Sequence, residues 1–101
     1  MLIKSLNNKG KILNLDETKN LKSGLVILMP GEEIGKHITK DKEEAIVILS
    51  GQATVELEGE KSQIVDANFL VYIPQNKEHN IKNNSNGILR YLYLVSLINN
   101  E

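Results

Sequence analysis

Short apolar runs that end at turn residues dominate the pattern of hydrophobic and polar positions along this chain. Runs of strand length occupy residues 25–29, 45–49, 53–58 and 69–73, and a longer run occupies residues 88–97. Glycine or proline follows each of the shorter runs within two residues, as is typical of strands that end in turns. Strict alternation in the third run indicates a strand with one buried face. The pattern predicts an all-β domain, either a sandwich or a barrel.

The two ends of the chain differ in how strongly they carry this pattern. Residues 1–23 predict only one early strand, near residues 12–15, and residues 16–22 are the one stretch that could form a helical turn. We expect a single domain over residues 1–101, in which this N-terminal strand segment precedes a barrel over residues 24–98. The last run is apolar on both of its faces, and such a strand is normally covered on both sides. We therefore predict a homodimer, with the N-terminal segment or an outer sheet face at the interface.

Composition and charge narrow the classes of function. The net charge is −1, with 12 basic and 13 acidic residues, and no lysine-rich face is evident, so we expect no nucleic-acid partner. No segment approaches the ~20 apolar residues of a membrane span, and the first residues lack a signal peptide's apolar stretch, so we expect a cytoplasmic protein without a membrane partner. The mixed charges of residues 40–43 are interpreted as a solvated turn. Because the chain has no cysteine, any metal must be held by histidine, carboxylate, hydroxyl or water.

The first of the chain's two histidines stands in a regularly spaced set of residues. Five residues separate Gly31 from His37, six separate His37 from Glu44, and six more separate Glu44 from Gly51. This spacing resembles the first sequence motif of the cupin superfamily. Thr39 stands at the position where that motif has a second histidine.

The second histidine stands in a set that resembles the second cupin motif. Pro74, His79 and Asn83 have the spacing of that motif, whereas Asn68 and Asn76 replace its two glycines. Asparagine tolerates positive φ angles better than most residues, so both replacements are physically mild. The chain is thus similar to the small single-domain cupins of the conserved-barrel type over about residues 24–97, and the resemblance implies a double-stranded β-helix, also called a jelly-roll β-barrel.

The spacing of these residues predicts a metal site inside the barrel. In a strand, His37 and Thr39 point to the same face, and the turn after them lets Glu44 return beside them on the next strand. With His79 from a further strand, two imidazoles and one carboxylate make a set that suits Fe(II), while Mn, Zn, Ni or Cu are alternatives. Glu43 is the alternative carboxylate, but the interval to the next motif glycine favours Glu44. Thr39 is expected in the pocket as a partner for a water or a substrate oxygen.

Two classes of function fit this site. The resemblance implies a metal-dependent enzyme, similar to dioxygenases, isomerases or decarboxylases, that acts on a small polar organic molecule. The alternative is a metal-free ligand-binding or sensor protein that uses the same pocket. A third interpretation, which does not involve the pocket, is a structural or interaction protein that acts through its dimer surface. A serine nucleophile is not expected, because the chain lacks a Gly-x-Ser-x-Gly turn and both histidines belong to the motifs.

Overall fold

Residues 1–98, the part of the chain that the computed structural model describes, form nine β-strands and no helix. The strands are β1 (Gly10–Leu13), β2 (Leu21–Leu28), β3 (His37–Ile38), β4 (Lys42–Ser50), β5 (Gln52–Leu57), β6 (Gln63–Asp66), β7 (Leu70–Ile73), β8 (Glu78–Lys82) and β9 (Leu89–Leu97). They make two antiparallel sheets, one in the order β1-β2-β9-β4-β7 and the other in the order β3-β8-β5-β6. The predicted all-β fold is confirmed. Nothing in the described part has the length and apolarity of a membrane-spanning helix.

The core lies between the two sheets and is built by alternation along their strands. On β4 the side chains of Glu44, Ile46 and Ile48 are buried, while the residues between them are partly exposed. Ile81 on β8 and Tyr91 on β9 belong to the same buried cluster. Burying an aliphatic side chain of this size contributes about 1.5–3 kcal/mol to stability. Because Glu44 shares its face of β4 with the two isoleucines, the fold directs a carboxylate toward one end of an apolar interior.

The two asparagines that replace motif glycines occupy left-handed backbone conformations. The φ angle is 72° at Asn68 and 62° at Asn76, as expected for residues in glycine positions. Asn76 also links two turns, because its backbone N–H donates to the carbonyl of Thr39 and its Oδ1 accepts from the N–H of Asp41, both at 3.1 Å. The side chain at position 76 therefore supports the segment between β3 and β4, which a glycine there could not do.

The N-terminal segment differs in detail from its predicted structure. β1 begins at Gly10, earlier than the predicted strand, and pairs with β2 at the edge of the five-stranded sheet. Residues 16–22 do not form a helix. The N–H groups of Glu17 and Thr18 both donate to the carbonyl of Asn14, which makes a single turn, and the chain then enters β2 at Leu21. The Thr18 hydroxyl bonds to the backbone of Leu21, which favours this extended continuation over a second helical turn.

Candidate metal centre

The two histidines face one another across neighbouring strands. His37 on β3 pairs directly with His79 on β8, and their ring centroids lie 4.1 Å apart. Residues directly opposite each other in an antiparallel pair project to the same face of the sheet. The chain before β3 also follows β8, since the N–H of Ile34 donates to the carbonyl of Ile81 at 3.0 Å. The pairing of these two segments brings together histidines that are 42 positions apart in the sequence.

Glu44 approaches the histidines from the facing sheet. Its Oε1 lies 3.3 Å from Nε2 of His79, and one ligand atom from each of His37, Glu44 and His79 lies within 4.8 Å of the others. Glu43 points away from this cluster, and its Oε1 accepts a hydrogen bond from the hydroxyl of Tyr72 at 2.8 Å. Alternation along β4 therefore places Glu44 at the cluster and the other candidate carboxylate on the outer face of the sheet.

Backbone hydrogen bonds orient both imidazole rings. Nδ1 of His37 lies 3.1 Å from the carbonyl of Gly35, and Nδ1 of His79 lies 3.2 Å from the carbonyl of Lys77. A carbonyl only accepts, so Nδ1 of each ring carries the proton in these contacts and Nε2 keeps its lone pair. Metal-binding histidines are commonly held in this way by a second contact at the other ring nitrogen. The arrangement leaves Nε2 of each ring available as a ligand atom.

Nε2 of His79 is the polar atom of this cluster with the least satisfied environment. It is buried and has no hydrogen-bond partner, although Oε1 of Glu44 lies 3.3 Å away, because both atoms are acceptors while the ring proton is on Nδ1. Burial lowers the pKa of His79, but contacts with Glu44 and with the carbonyl of Lys77 outweigh burial, and the pKa is raised above its usual value. A buried lone pair beside a carboxylate is an environment that favours a cation.

A cavity of about 260 Å³ opens beside this cluster. His37, Thr39 and Glu44 line it, together with Tyr91 and Tyr93 from β9. Thr39 follows β3 directly and is 7% exposed, and its Oγ1 has no hydrogen-bond partner. Burial, followed by the nearby Glu44 carboxylate, raises the pKa of Tyr91 far above its usual value, so its hydroxyl remains protonated. The cavity thus combines candidate metal ligands with hydroxyl groups and apolar walls.

A comparison with known protein families shows to which family this chain belongs. The family model described as "Cupin domain" matches residues 24–95. The chain belongs to the cupin family. A predicted oxalate decarboxylase from Thermotoga maritima superposes on this cupin with a TM-score of 0.84 and 18% identity, covering 96% of this chain and 100% of that one. An RmlC-like cupin family protein from Methanocaldococcus jannaschii gives 0.80 and 21%, covering 96% and 91%. These likenesses confirm the double-stranded β-helix fold.

A curated relative shows how much of a larger protein this cupin matches. It is 32% identical over 74 residues to mannose-1-phosphate guanylyltransferase 2 of Escherichia coli O157:H7. The match covers 73% of this cupin but only about 15% of the length of that relative. The similarity therefore concerns only a short part of the larger protein.

Asn80 is a site residue of this cupin that sequence reasoning missed. It is 1% exposed, and its Nδ2 donates to Oε1 of Glu33 at 3.1 Å. Its Oδ1 accepts from the N–H of Gly35 at 3.0 Å, in the segment that leads into His37. Asn80 therefore anchors the chain just before the first histidine. Its position in a polar stretch next to His79 gave no sign that it would be buried.

Two lysines of the cavity were also missed. The prediction of a solvated turn over residues 40–43 is wrong for Lys42 and Glu43, because the turn ends at Asp41 and both residues are partly buried in β4. Lys42 is partly buried and lines the cavity, as does Lys22 of β2. Continuing the alternation of β4 backward from Glu44 would have placed Lys42 on the inner face.

Proposed function

We propose that this cupin binds one divalent metal ion through His37, Glu44 and His79, and that the ion serves a reaction on a small polar organic molecule. The observation that carries the proposal is the buried, unpartnered Nε2 of His79 beside the Glu44 carboxylate. A buried polar atom without a partner costs about 1–3 kcal/mol, and a bound cation would remove that cost. The proton on Nδ1 of each histidine leaves Nε2 free to act as a ligand.

The residues present fit a metal of the first transition series. Two imidazoles and one carboxylate suit Fe(II), and Mn, Zn, Ni or Cu can occupy the same set. When bound, such an ion supplies polarisation of a ligand oxygen or activation of water or oxygen. The protein's own part is to hold the substrate and exclude water. The Thr39 hydroxyl is free to donate to a substrate oxygen, and Tyr91, which lines the same cavity, stays protonated.

We further propose that the reaction belongs to the dioxygenase, isomerase or decarboxylase types. The names of the relatives given above include a decarboxylase and an enzyme of sugar phosphates, which supports a small polar substrate. A metal-free ligand-binding or sensor protein is the second candidate. The observation that favours it is Thr39, because a neutral hydroxyl replaces one imidazole of the motif and leaves three ligands instead of four.

Glu44→Gln is expected to reduce bound metal from near-stoichiometric to background. The substitution keeps the shape of the side chain but replaces the anionic ligand with a neutral amide, which binds transition metals weakly. Metal content is measured by elemental analysis of tag-free protein after incubation with Fe(II), Mn, Zn, Ni or Cu and removal of free ions. Glu43→Gln is the matched control, because it removes the neighbouring carboxylate on the outer face of the same strand.

Two results would count against the metal site. Equal metal in the Glu43→Gln and Glu44→Gln proteins would place the metal elsewhere. Wild-type protein that retains none of the five metals would reject the proposal and favour the metal-free ligand-binding function. Thermal unfolding of each variant checks that any loss of metal does not reflect loss of fold.

A homodimer in the cytoplasm is also part of the proposal. Leu70 and Tyr72 on the outer face of β7 are 63% and 56% exposed, and Met1 and Ile3 of the N-terminal segment are also exposed. Exposed apolar side chains of this size on a small domain are typical of an interface. Sedimentation velocity at micromolar concentration is expected to give the mass of a dimer. A monomer at that concentration would contradict the prediction.

A further inference from the structure

Lys22 and Lys42 lie on the inner face of the five-stranded sheet near Glu44, Lys42 along the same strand and Lys22 two strands across. Lys42 precedes Glu44 by two residues on β4, so both side chains project into the barrel. Lys22 pairs with Val95, and Val95 pairs with Glu44, which places the three residues in one row across β2, β9 and β4. Both lysines line the same cavity as His37 and Thr39.

These two ammonium groups have no acidic partner within residues 1–98. The ion pairs of that region involve Lys4, Lys82 and His79, and neither cavity lysine takes part in one. Burial, followed by the positive charge of Lys42, lowers the pKa of Lys22, and the more distant Glu44 carboxylate offsets this only in part. Two like charges that share a cavity repel, and a bound anion would offset that repulsion.

Thr39 gives an independent indication of a ligand in the same cavity. Its side chain is buried, and its Oγ1 has no hydrogen-bond partner. Buried hydroxyl groups are almost always hydrogen-bonded, so this one calls for an acceptor that enters the cavity. An oxygen atom of a bound acid is an acceptor of the required kind.

We propose that Lys22 and Lys42 bind the acid group of a small organic anion, a carboxylate or a phosphate ester, whose other end reaches the cluster of His37, Glu44 and His79. Binding of the ligand's other end at the cluster rests on the proposed metal function, whereas binding of its acid group by the two lysines does not. Neighbouring strands are about 4.8 Å apart, so the row places the Cα of Lys22 roughly 10 Å from that of Glu44. The cavity of about 260 Å³ lies below the usual range for drug-sized ligands, which indicates a molecule of few atoms.

The test is isothermal titration calorimetry with two acids and their neutral counterparts. Succinate is compared with succinamide, and glycerol 3-phosphate with glycerol, in metal-free and Mn²⁺-incubated protein. Lys22→Met and Lys42→Met are combined in one variant, and Lys19→Met is the control because Lys19 is exposed and does not line this cavity. A double arginine variant at positions 22 and 42 keeps both charges. Elemental analysis records the metal content of every protein.

At least one acid is expected to bind to the wild type, while its neutral counterpart does not. Loss of both lysines is expected to weaken that binding by roughly tenfold or more, since charge-assisted hydrogen bonds are the stronger kind. The Lys19→Met protein and the double arginine variant should bind as the wild type does, and metal content should be equal throughout. Binding of succinate alone identifies a carboxylate site, and binding of glycerol 3-phosphate alone identifies a phosphate site.

The inference is overturned if neither acid binds to the wild type, if the double methionine variant binds equally well, or if the neutral compounds bind as tightly. These outcomes are separable from failure of the metal proposal. Protein that holds metal but no acid contradicts the lysine site alone. Protein that holds no metal but binds an acid through the two lysines contradicts the metal site alone.

Discussion

Replacing Gly51 with alanine is expected to lower the free energy of unfolding by about 3 kcal/mol or more, because two penalties coincide at this position. Gly51 joins β4 to β5 with a φ angle of 85°, a conformation that L-residues rarely adopt. A Cβ there would lie 2.3 Å from the backbone carbonyl oxygen of Ile88 and 3.0 Å from the Cα of Leu89. Leu89 begins β9 and Ile88 directly precedes it, so this backbone cannot move without disturbing the larger sheet.

Gly59→Ala provides the matched control for this substitution. Gly59 has nearly the same φ angle, 80°, but a Cβ there would meet no atom within 4 Å. Only the backbone cost applies, so we expect a loss of about 1 kcal/mol. Urea unfolding and thermal melts of both variants measure the difference, and the Gly51→Ala melting temperature should fall by more than ~10 °C. Equal losses in the two variants would show that the contact with Ile88 does not matter.

The strands that sequence reasoning found are those whose inner faces are apolar over several residues. β4 and β5 were both predicted, and their alternation is the clearest in the chain. The apolar pattern predicts neither β3 nor β6, and only the motif around His37 indicates a strand at β3, because β3 has two residues, both exposed, and β6 lies at a sheet edge with mostly exposed side chains. Such strands form because a neighbouring strand pairs with them, and their own residues give little indication that they are strands.

The candidate site was more visible in the sequence than the strands that build it. The interval to Gly51 favours Glu44 over Glu43 in the sequence, and the alternation of β4 places Glu44 at the cluster. The apolar pattern does not predict that the two lysines of the cavity face inward. The predicted strand at residues 25–29 began four positions late, so Lys22 lay outside the stretch where alternation was considered. Both lysines are polar residues near the beginning of a strand whose other inward-facing residues are mostly apolar. A search for apolar runs does not include such residues, although in this protein they line the cavity.

Asn83 shows that one residue of the second motif has a structural role. Its side chain is completely buried, and Nδ2 donates to the carbonyls of Leu28 and Gly87, each at 2.8 Å. Its Oδ1 accepts from the N–H and the hydroxyl of Ser85, at 3.1 and 2.6 Å. These bonds use the full capacity of the amide and join the end of β2 to the turn that leads into β9.

Asn83→Ala is expected to cost about 2–4 kcal/mol of stability, because it removes the donor to the carbonyl of the buried Leu28, at about 1–3 kcal/mol, together with weaker bonds to the less buried Gly87 and Ser85. Asn83→Asp keeps the shape but replaces the two N–H donors with an oxygen that faces two carbonyls, so we expect a comparable loss at neutral pH. Its buried carboxyl group should have a raised pKa, so this variant should regain stability as the pH falls and protonation restores one donor.

The exposed neighbour Asn84 supplies the control for both variants, since Asn84→Ala should change stability by less than about 0.5 kcal/mol. Urea unfolding at pH 7 and at pH 5 measures all of these differences, and an unchanged denaturant slope would show that the unfolded state is comparable. Asn83→Ala and Asn84→Ala proteins of equal stability would contradict the structural role. The same experiment separates fold from site, because Asn83 lies outside the cluster of His37, Glu44 and His79, and its loss should destabilise the barrel without removing any metal ligand.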